Sequence, residues 1–319
     1  MGWNKSFKTF FSLLLLLCLL PVNAFAQSES LIPMGHSIGI QMDLSGIYVT
    51  SDVLIDKEQW LKKGDIIQEM NGTETKQLVH FERSLQKRDG PMMTVGILRN
   101  GEKMTLQADL QLIKRVSPFL KDRTEGTGTL TYVDPETGTY GALGHQIIDS
   151  TLQTPPSFEK GAIYLSEINQ IKKSSPGFPG YKISSIVDPN NLLGNIRTNT
   201  IYGIFGSWKN AYSKVLAEPL EIMQPLEVNV GPAEIFTTVE GSTVEKFHIQ
   251  ITKLEEDQFQ ILLTDEKLLK KTGGILQGMS GSPVIQNGKF VGAITHMFVD
   301  EPEKGAGLFL KTMRMNEKK

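Results

Sequence analysis

The chain has 319 residues, with 33 basic and 35 acidic side chains and a formal net charge of −2. No long basic block interrupts that balance, so nucleic acid is not an expected partner. The 30 glycines and 15 prolines, scattered among short β-branched runs, predict a mainly β protein without internal repeats or a long amphipathic helix.

Lys5 and Lys8 precede an apolar run from Phe10 to Leu20, and Ala24-Phe25-Ala26 offers small residues for cleavage before Gln27. Charged, apolar and cleavage regions in this order predict an export signal over residues 1–26. The run is shorter than the roughly 20 residues of a spanning helix, and an uncleaved anchor remains an alternative if the helix extends through Pro21 to Ala26. Cys18 is the single cysteine and lies inside the run, so the mature chain has no disulfide and no cysteine nucleophile or ligand. Leu15-Leu16-Leu17 before it lacks the small residues that precede a lipid-modified cysteine. About 290 residues remain after cleavage, enough for two domains with their own cores.

From Leu31 to Leu112 the pattern predicts a small α+β domain. Ser37 to Met42 and Gly46 to Thr50 read as two strands. Gln59 to Lys63 reads as a short helix ending at Gly64, followed by a strand that turns at Asn71-Gly72. Leu78 to Lys87 places Leu78, Phe81 and Leu85 on one helical face, and Met93 to Leu98 with Lys103 to Ala108 forms a hairpin about Asn100-Gly101. This order, with Leu61-x-x-Gly64-Asp65-x-Ile67-x-x-x-Asn71-Gly72, resembles a PDZ domain. The resemblance implies a groove beside Ile38, Gly39 and Ile40 that takes an extended peptide or C-terminal tail as an added strand. If those apolar residues are core instead, nothing binds there. The short Ser51 to Gln59 segment leaves the depth of such a groove open. His36 and His80 have no cluster of potential ligands and read as packing or surface residues.

Lys114 to Asp122 reads as a linker leading to a strand. Gly126 to Val133 is the next strand, Asp134 to Gly138 turns it, and Tyr140-Gly141-Ala142-Leu143-Gly144-His145 follows. A histidine after a glycine at a strand end can project into a cleft, so His145 is the candidate general base. His296 is its competitor and could instead line a substrate pocket; His248 reads as an exposed strand residue. Near the C-terminus, Gly278-Met279-Ser280-Gly281-Ser282-Pro283 enters an apolar strand that turns at Asn287-Gly288 into a second. A trypsin-like barrel presents its nucleophile in this way, and Ser280 is the candidate, with Ser282 next in line. Glycines there let the Gly278 and Ser280 N–H groups aim at one point as an oxyanion hole. The plain alternative is a Gly/Ser/Pro loop leading into a hairpin. Asp265, fifteen positions before Ser280, is the favoured carboxylate to orient the base, with Asp149 as runner-up; Asp265 is also a natural N-cap for a helix over Glu266 to Lys271. No metal-ligand or phosphate-loop spacing is present, and no cofactor or metal is implied.

Together with Gly203-Ile204-Phe205-Gly206, Gly231-Pro232-Ala233-Glu234-Ile235 and Val291 to Val299, these segments resemble the stage IV sporulation protein B family of serine peptidases. The resemblance implies a PDZ-like domain over 31–112 followed by a trypsin-like double β-barrel serine peptidase domain over 113–319. It implies an endopeptidase exported into the space between forespore and mother-cell membranes. There such a peptidase cleaves a membrane-associated regulatory protein, leading to sigma factor activation, and also cleaves itself. It carries His145, Asp265 and Ser280 onto the family's histidine, aspartate and serine. The segment Lys121 to Gly126 and the tail after Gly307 depart from the family pattern, leaving room for a different target. Two rivals remain: a non-catalytic adaptor of a membrane protease, and a general envelope-quality-control protease.

Overall fold

The computed structural model describes residues 29–86, 90–209, 217–315 and 317. The expected export signal, residues 1–26, lies outside them. Among the described residues no helix is long and apolar enough to cross a membrane.

Two strands open the described chain, β1 (Ser30–Pro33) and the long β2 (Ser37–Val49). A small unit follows, built from β3 (Ile66–Met70), α1 (Leu78–Gln86), β4 (Met92–Arg99) and β5 (Glu102–Asp109). Its own core gathers Ile47, Ile67, Phe81, Val95, Ile97 and Ile113. The Asn71-Gly72 and Asn100-Gly101 corners both adopt paired left-handed conformations, with φ of 52° and 73°, and of 53° and 84°, as a twisted two-residue hairpin turn requires. The expected helix before Gly64 is absent. Trp60 and Leu61 pair as a short strand with Val53 and Leu54 instead, and Arg99 clamps the buried Asp65 through two hydrogen bonds of 2.8 and 2.7 Å.

The first large sheet adds β6 (Leu120–Asp134), β7 (Thr139–Ala142), β8 (Phe158–Lys172), β9 (Gly180–Ile186), β10 (Leu192–Asn195) and β11 (Gly203–Ser207). Its central order is β11-β7-β6-β2-β8-β9. β10 pairs with β8, and a single bridge from Gly194 to Trp208 approaches the β11 side. The sheet therefore curls into a half-barrel, where two closed barrels were expected; the four-residue β10 is too short to carry a full closing ladder.

The expected domain boundary is also displaced. Ser37 to Asp43 pairs with β6 on one side, and Ile38 to Leu44 with β8 on the other. These residues belong to the half-barrel, and the small unit begins only at the second half of β2. The expected peptide groove at Ile38, Gly39 and Ile40 has no free edge for the same reason: their backbone groups face ladders on both sides, and a Cβ on Gly39 would meet Ile186 at 2.6 Å.

The C-terminal half closes fully. β12 (Gly231–Thr238), β13 (Val244–Leu254) and β14 (Gln258–Leu263) are followed by α2 (Glu266–Thr272) and the short β15 (Leu276–Gln277). β16 (Pro283–Gln286), β17 (Lys289–Met297) and β18 (Lys304–Phe309) complete a six-stranded barrel ordered β12-β13-β14-β18-β17-β16. Alternate residues of β12, among them Ala233 and Ile235, point inward into the core with Phe259, Ile261, Met279 and Val284, the larger of these side chains contributing about 1.5–3 kcal/mol each on burial. A final helix, α3 (Leu310–Arg314), carries Arg314 to Asp134 and Glu29, while Glu317 accepts from the Tyr132 hydroxyl. The tail is thereby tied back to the half-barrel, and the interface between the two halves is where the histidine and serine loops meet.

Candidate active site

The turn after β7 contains two consecutive left-handed residues, Leu143 (φ 75°) and Gly144 (φ 72°). Leucine rarely accepts that conformation, and here it ejects His145 from the strand direction. Below, Asn199 fixes the segment: its side chain accepts from Ile147 N–H at 2.8 Å and donates to the Ile147 carbonyl at 3.0 Å. His145 Nδ1 lies 2.9 Å from the Gln146 carbonyl oxygen. A carbonyl only accepts, so in the neutral ring Nδ1 carries the proton and Nε2 is left as an acceptor, the tautomer a general base needs.

The serine loop is built from backbone hydrogen bonds. Met279, Gly281 and Ser282 N–H donate to the carbonyls of Leu276, Ile294 and Met279 at 3.0, 2.7 and 3.0 Å. Ser280 N–H has no hydrogen-bond partner among the described residues, and Gly278 (φ 94°) takes a conformation that a residue with a Cβ rarely adopts. Gly281 (φ 96°) admits no side chain at all: a Cβ there would stand 2.1 Å from the Thr129 carbonyl oxygen and 2.6 Å from Leu143 N. Ser282 is fully buried, which removes it from contention as a nucleophile.

Thr129, which the sequence analysis passed over, joins the two loops. Its N–H donates to the Ser280 carbonyl at 3.1 Å and its hydroxyl to the Gly278 carbonyl at 2.7 Å. Its own carbonyl accepts from Leu143 N–H at 3.2 Å. The signal lay in the flanking glycines, since a Cβ on Gly128 would fall 2.0 Å from the Leu143 side chain.

His145, Gly278 and Ser280 line one cavity of about 380 Å³. In this arrangement the Ser280 hydroxyl donates to the Thr295 carbonyl at 2.6 Å. His296, the neighbour of Thr295, brings its ring centroid to 6.1 Å from that of His145. Its Nδ1 is 2.6 Å from the Thr295 hydroxyl. Desolvation, and then the neighbouring charge of His145, lower the His296 pKa. His248 is exposed, as expected from its strand.

The two carboxylate candidates have different surroundings. Asp265 N-caps α2, accepting from Leu268 N–H at 3.0 Å and from His248 N–H at 3.3 Å. It does not line the cavity, so the structure shows the cap and no contact with His145. Asp149 does line the cavity. It is fully buried and accepts from Lys121 Nζ and the Thr124 hydroxyl, both at 2.6 Å, and from Thr151 and Leu152 N–H. Burial would raise its pKa, but those hydrogen bonds outweigh burial and hold it at about 2.

A buried lysine completes the surroundings. The Lys182 stem runs beneath Gly278, its Cδ 3.3 Å from where a Cβ would sit. Its amine donates to the Thr237 hydroxyl at 3.2 Å. Burial lowers its pKa to about 7.

Residues 113–314 match the family model described as SpoIVB peptidase S55. The chain belongs to that family. Its members are serine peptidases, and the resemblance seen in the His145 and Ser280 segments agrees with it. No curated protein sequence matches this one. Among solved structures, the active form of Rv3671c protease from M. tuberculosis is 13% identical, with 59% of this chain and 71% of that chain covered and a TM-score of 0.37. The inactive form of Rv3671c protease is 12% identical, with 59% and 80% covered and a TM-score of 0.35.

Proposed function

We propose that this serine peptidase is an exported endopeptidase of the sporulation signalling type, with Ser280 as nucleophile and His145 as general base. Membership of the S55 family and the meeting of those two side chains in one cavity support the reading. The Ser280 hydroxyl turns from the Thr295 carbonyl to His145 Nε2, loses its proton there, and Oγ attacks the peptide carbonyl carbon. The N–H groups of Gly278 and Ser280 receive the oxyanion. His145 then passes the proton to the leaving amine, and the acyl-enzyme is hydrolysed by the same steps with water. The Gln146 carbonyl holds the imidazole in the required tautomer and orientation.

In this proposal the substrate is a membrane-associated regulatory protein whose cleavage leads to sigma factor activation, and the chain also cleaves itself. Export rests on Lys5, Lys8 and the apolar run Phe10 to Leu20, and the small unit between β2 and β6, outside most of the family match, is the part available to hold a partner. The test is incubation of the chain from Gln27 to Lys319 and its Ser280→Ala variant, alone and with a mixed peptide library, followed by mass spectrometry. Cleavage by the wild type that disappears in the variant supports the reading. Equal cleavage by both would refute it.

A further inference from the structure

We infer that the cavity beside His145 is the subsite for the residue following the scissile bond, and that it selects an aliphatic side chain over a charged one; this inference rests on the peptidase reading above. The direction of the substrate follows from proton transfer. The base that accepts the Ser280 proton gives it to the amine of the departing fragment, so that fragment must lie against His145 and the loop that carries it. The cavity is walled on that side: besides His145, Gly278 and Ser280 it is bounded by residues 146–150 and by β6.

Its lining sets the chemistry. Ile40 and Leu143 are 3% exposed and form the apolar floor, while Ile147 and the half-exposed Ile148 form the wall nearest the histidine. Lys121 stands at the far end, but its amine is held by the Asp149 carboxylate, so the pair presents no net charge. An acidic side chain entering here would lose water without gaining a free cation. A basic one would find Asp149 already engaged, and the remaining carboxylate, Glu125, is exposed to water and accepts from the Gln41 side-chain amide at 3.3 Å. An aliphatic side chain needs no polar partner and covers Ile40, Leu143 and Ile148. Ile40, expected beforehand in a separate peptide groove, thus serves the active site.

The experiment is kinetic profiling of the Gln27 to Lys319 chain on peptides that differ only in the residue after the cleaved bond, beside Ile148→Glu. Ile148 stands at the rim, and ratios between substrates are independent of how much protein is folded. In the wild type, Leu, Ile, Val or Met at that position should exceed Asp in kcat/KM by at least about tenfold, the scale of hydrophobic pocket discrimination. Ile148→Glu should lower the rate for Leu relative to that for Lys several-fold, because the new carboxylate pairs with the substrate amine, and should not favour Asp. Cleavage with no preference at that position, or a preference unmoved by Ile148→Glu, overturns the subsite while leaving the peptidase intact. Absence of cleavage of every peptide by the wild type overturns both.

Discussion

Replacing Lys182 by methionine should stabilise the protein, although it deletes a hydrogen bond. Lys182 is 6% exposed and its amine is met by one neutral hydroxyl, that of Thr237. Burial moves its pKa from 10.5 to about 7, a difference worth about 5 kcal/mol against folding once the amine is protonated. Methionine keeps the unbranched stem that props Gly278 and carries no charge. Losing the bond to Thr237 costs about 1 kcal/mol, leaving a net gain of roughly 3–4 kcal/mol at pH 7. The sign follows from proton counting. Between pH 7 and 10.5 the unfolded chain binds a proton at Lys182 that the folded chain does not, so wild-type stability rises with pH across this window. The penalty is fully present below about pH 7 and has gone above 10.5. Urea unfolding of both proteins at several pH values between 7 and 10 measures it, because other titrating groups cancel in the difference. The gap should narrow by about 1.4 kcal/mol per pH unit. A gap independent of pH, or a methionine variant less stable than wild type at pH 7, would refute the reasoning.

Three further outcomes follow from the loops. Thr129→Val keeps the shape but leaves the Gly278 carbonyl without its 2.7 Å donor; kcat should fall about 10- to 100-fold with a stability loss of about 1–3 kcal/mol, measured by peptide turnover and urea unfolding. Gly281→Ala forces a Cβ against the Thr129 carbonyl, whereas Gly138→Ala meets no atom within 4 Å. The first should abolish turnover, and the second should cost only about 1–2 kcal/mol from its left-handed backbone, as thermal unfolding and peptide assays would report. Asp265→Ala should lower stability by about 1 kcal/mol through loss of the α2 cap, and Asp265→Asn should restore most of it, which urea unfolding reads directly.

Local geometry was legible in the sequence where one residue type has one physical use. The Asn-Gly corners, the α1 face of Phe81 and Leu85, the Asp265 cap and the glycines around Ser280 all reflect short-range rules, and the structure reproduces them. Pairings made at a distance were not legible. Ile38, Gly39 and Ile40 look the same in sequence whether their strand lies at an edge or between two partners. Only the ladders with β6 and β8 decide, and those form between residues about 90 and 120 positions away. Asp265 shows both sides of this: its cap was readable from the residues that follow it, but fifteen positions of spacing from Ser280 do not say whether its carboxylate lines the cavity. Thr129 and Lys182 were missed because a threonine in a strand and a lysine in an alternating segment carry no mark of burial. Their roles come from the loop of the other half of the molecule that settles upon them.

The central claim is that His145 activates Ser280 in the shared cavity, and covalent labelling tests it most directly. The Gln27 to Lys319 chain would be treated with a fluorophosphonate, which reacts with activated serine hydroxyls, and the modified peptide located by mass spectrometry. The account predicts a single adduct on Ser280, absent from Ser280→Ala and slowed by several orders of magnitude in His145→Ala. Labelling elsewhere, or labelling of Ser280 at the wild-type rate without His145, would contradict it.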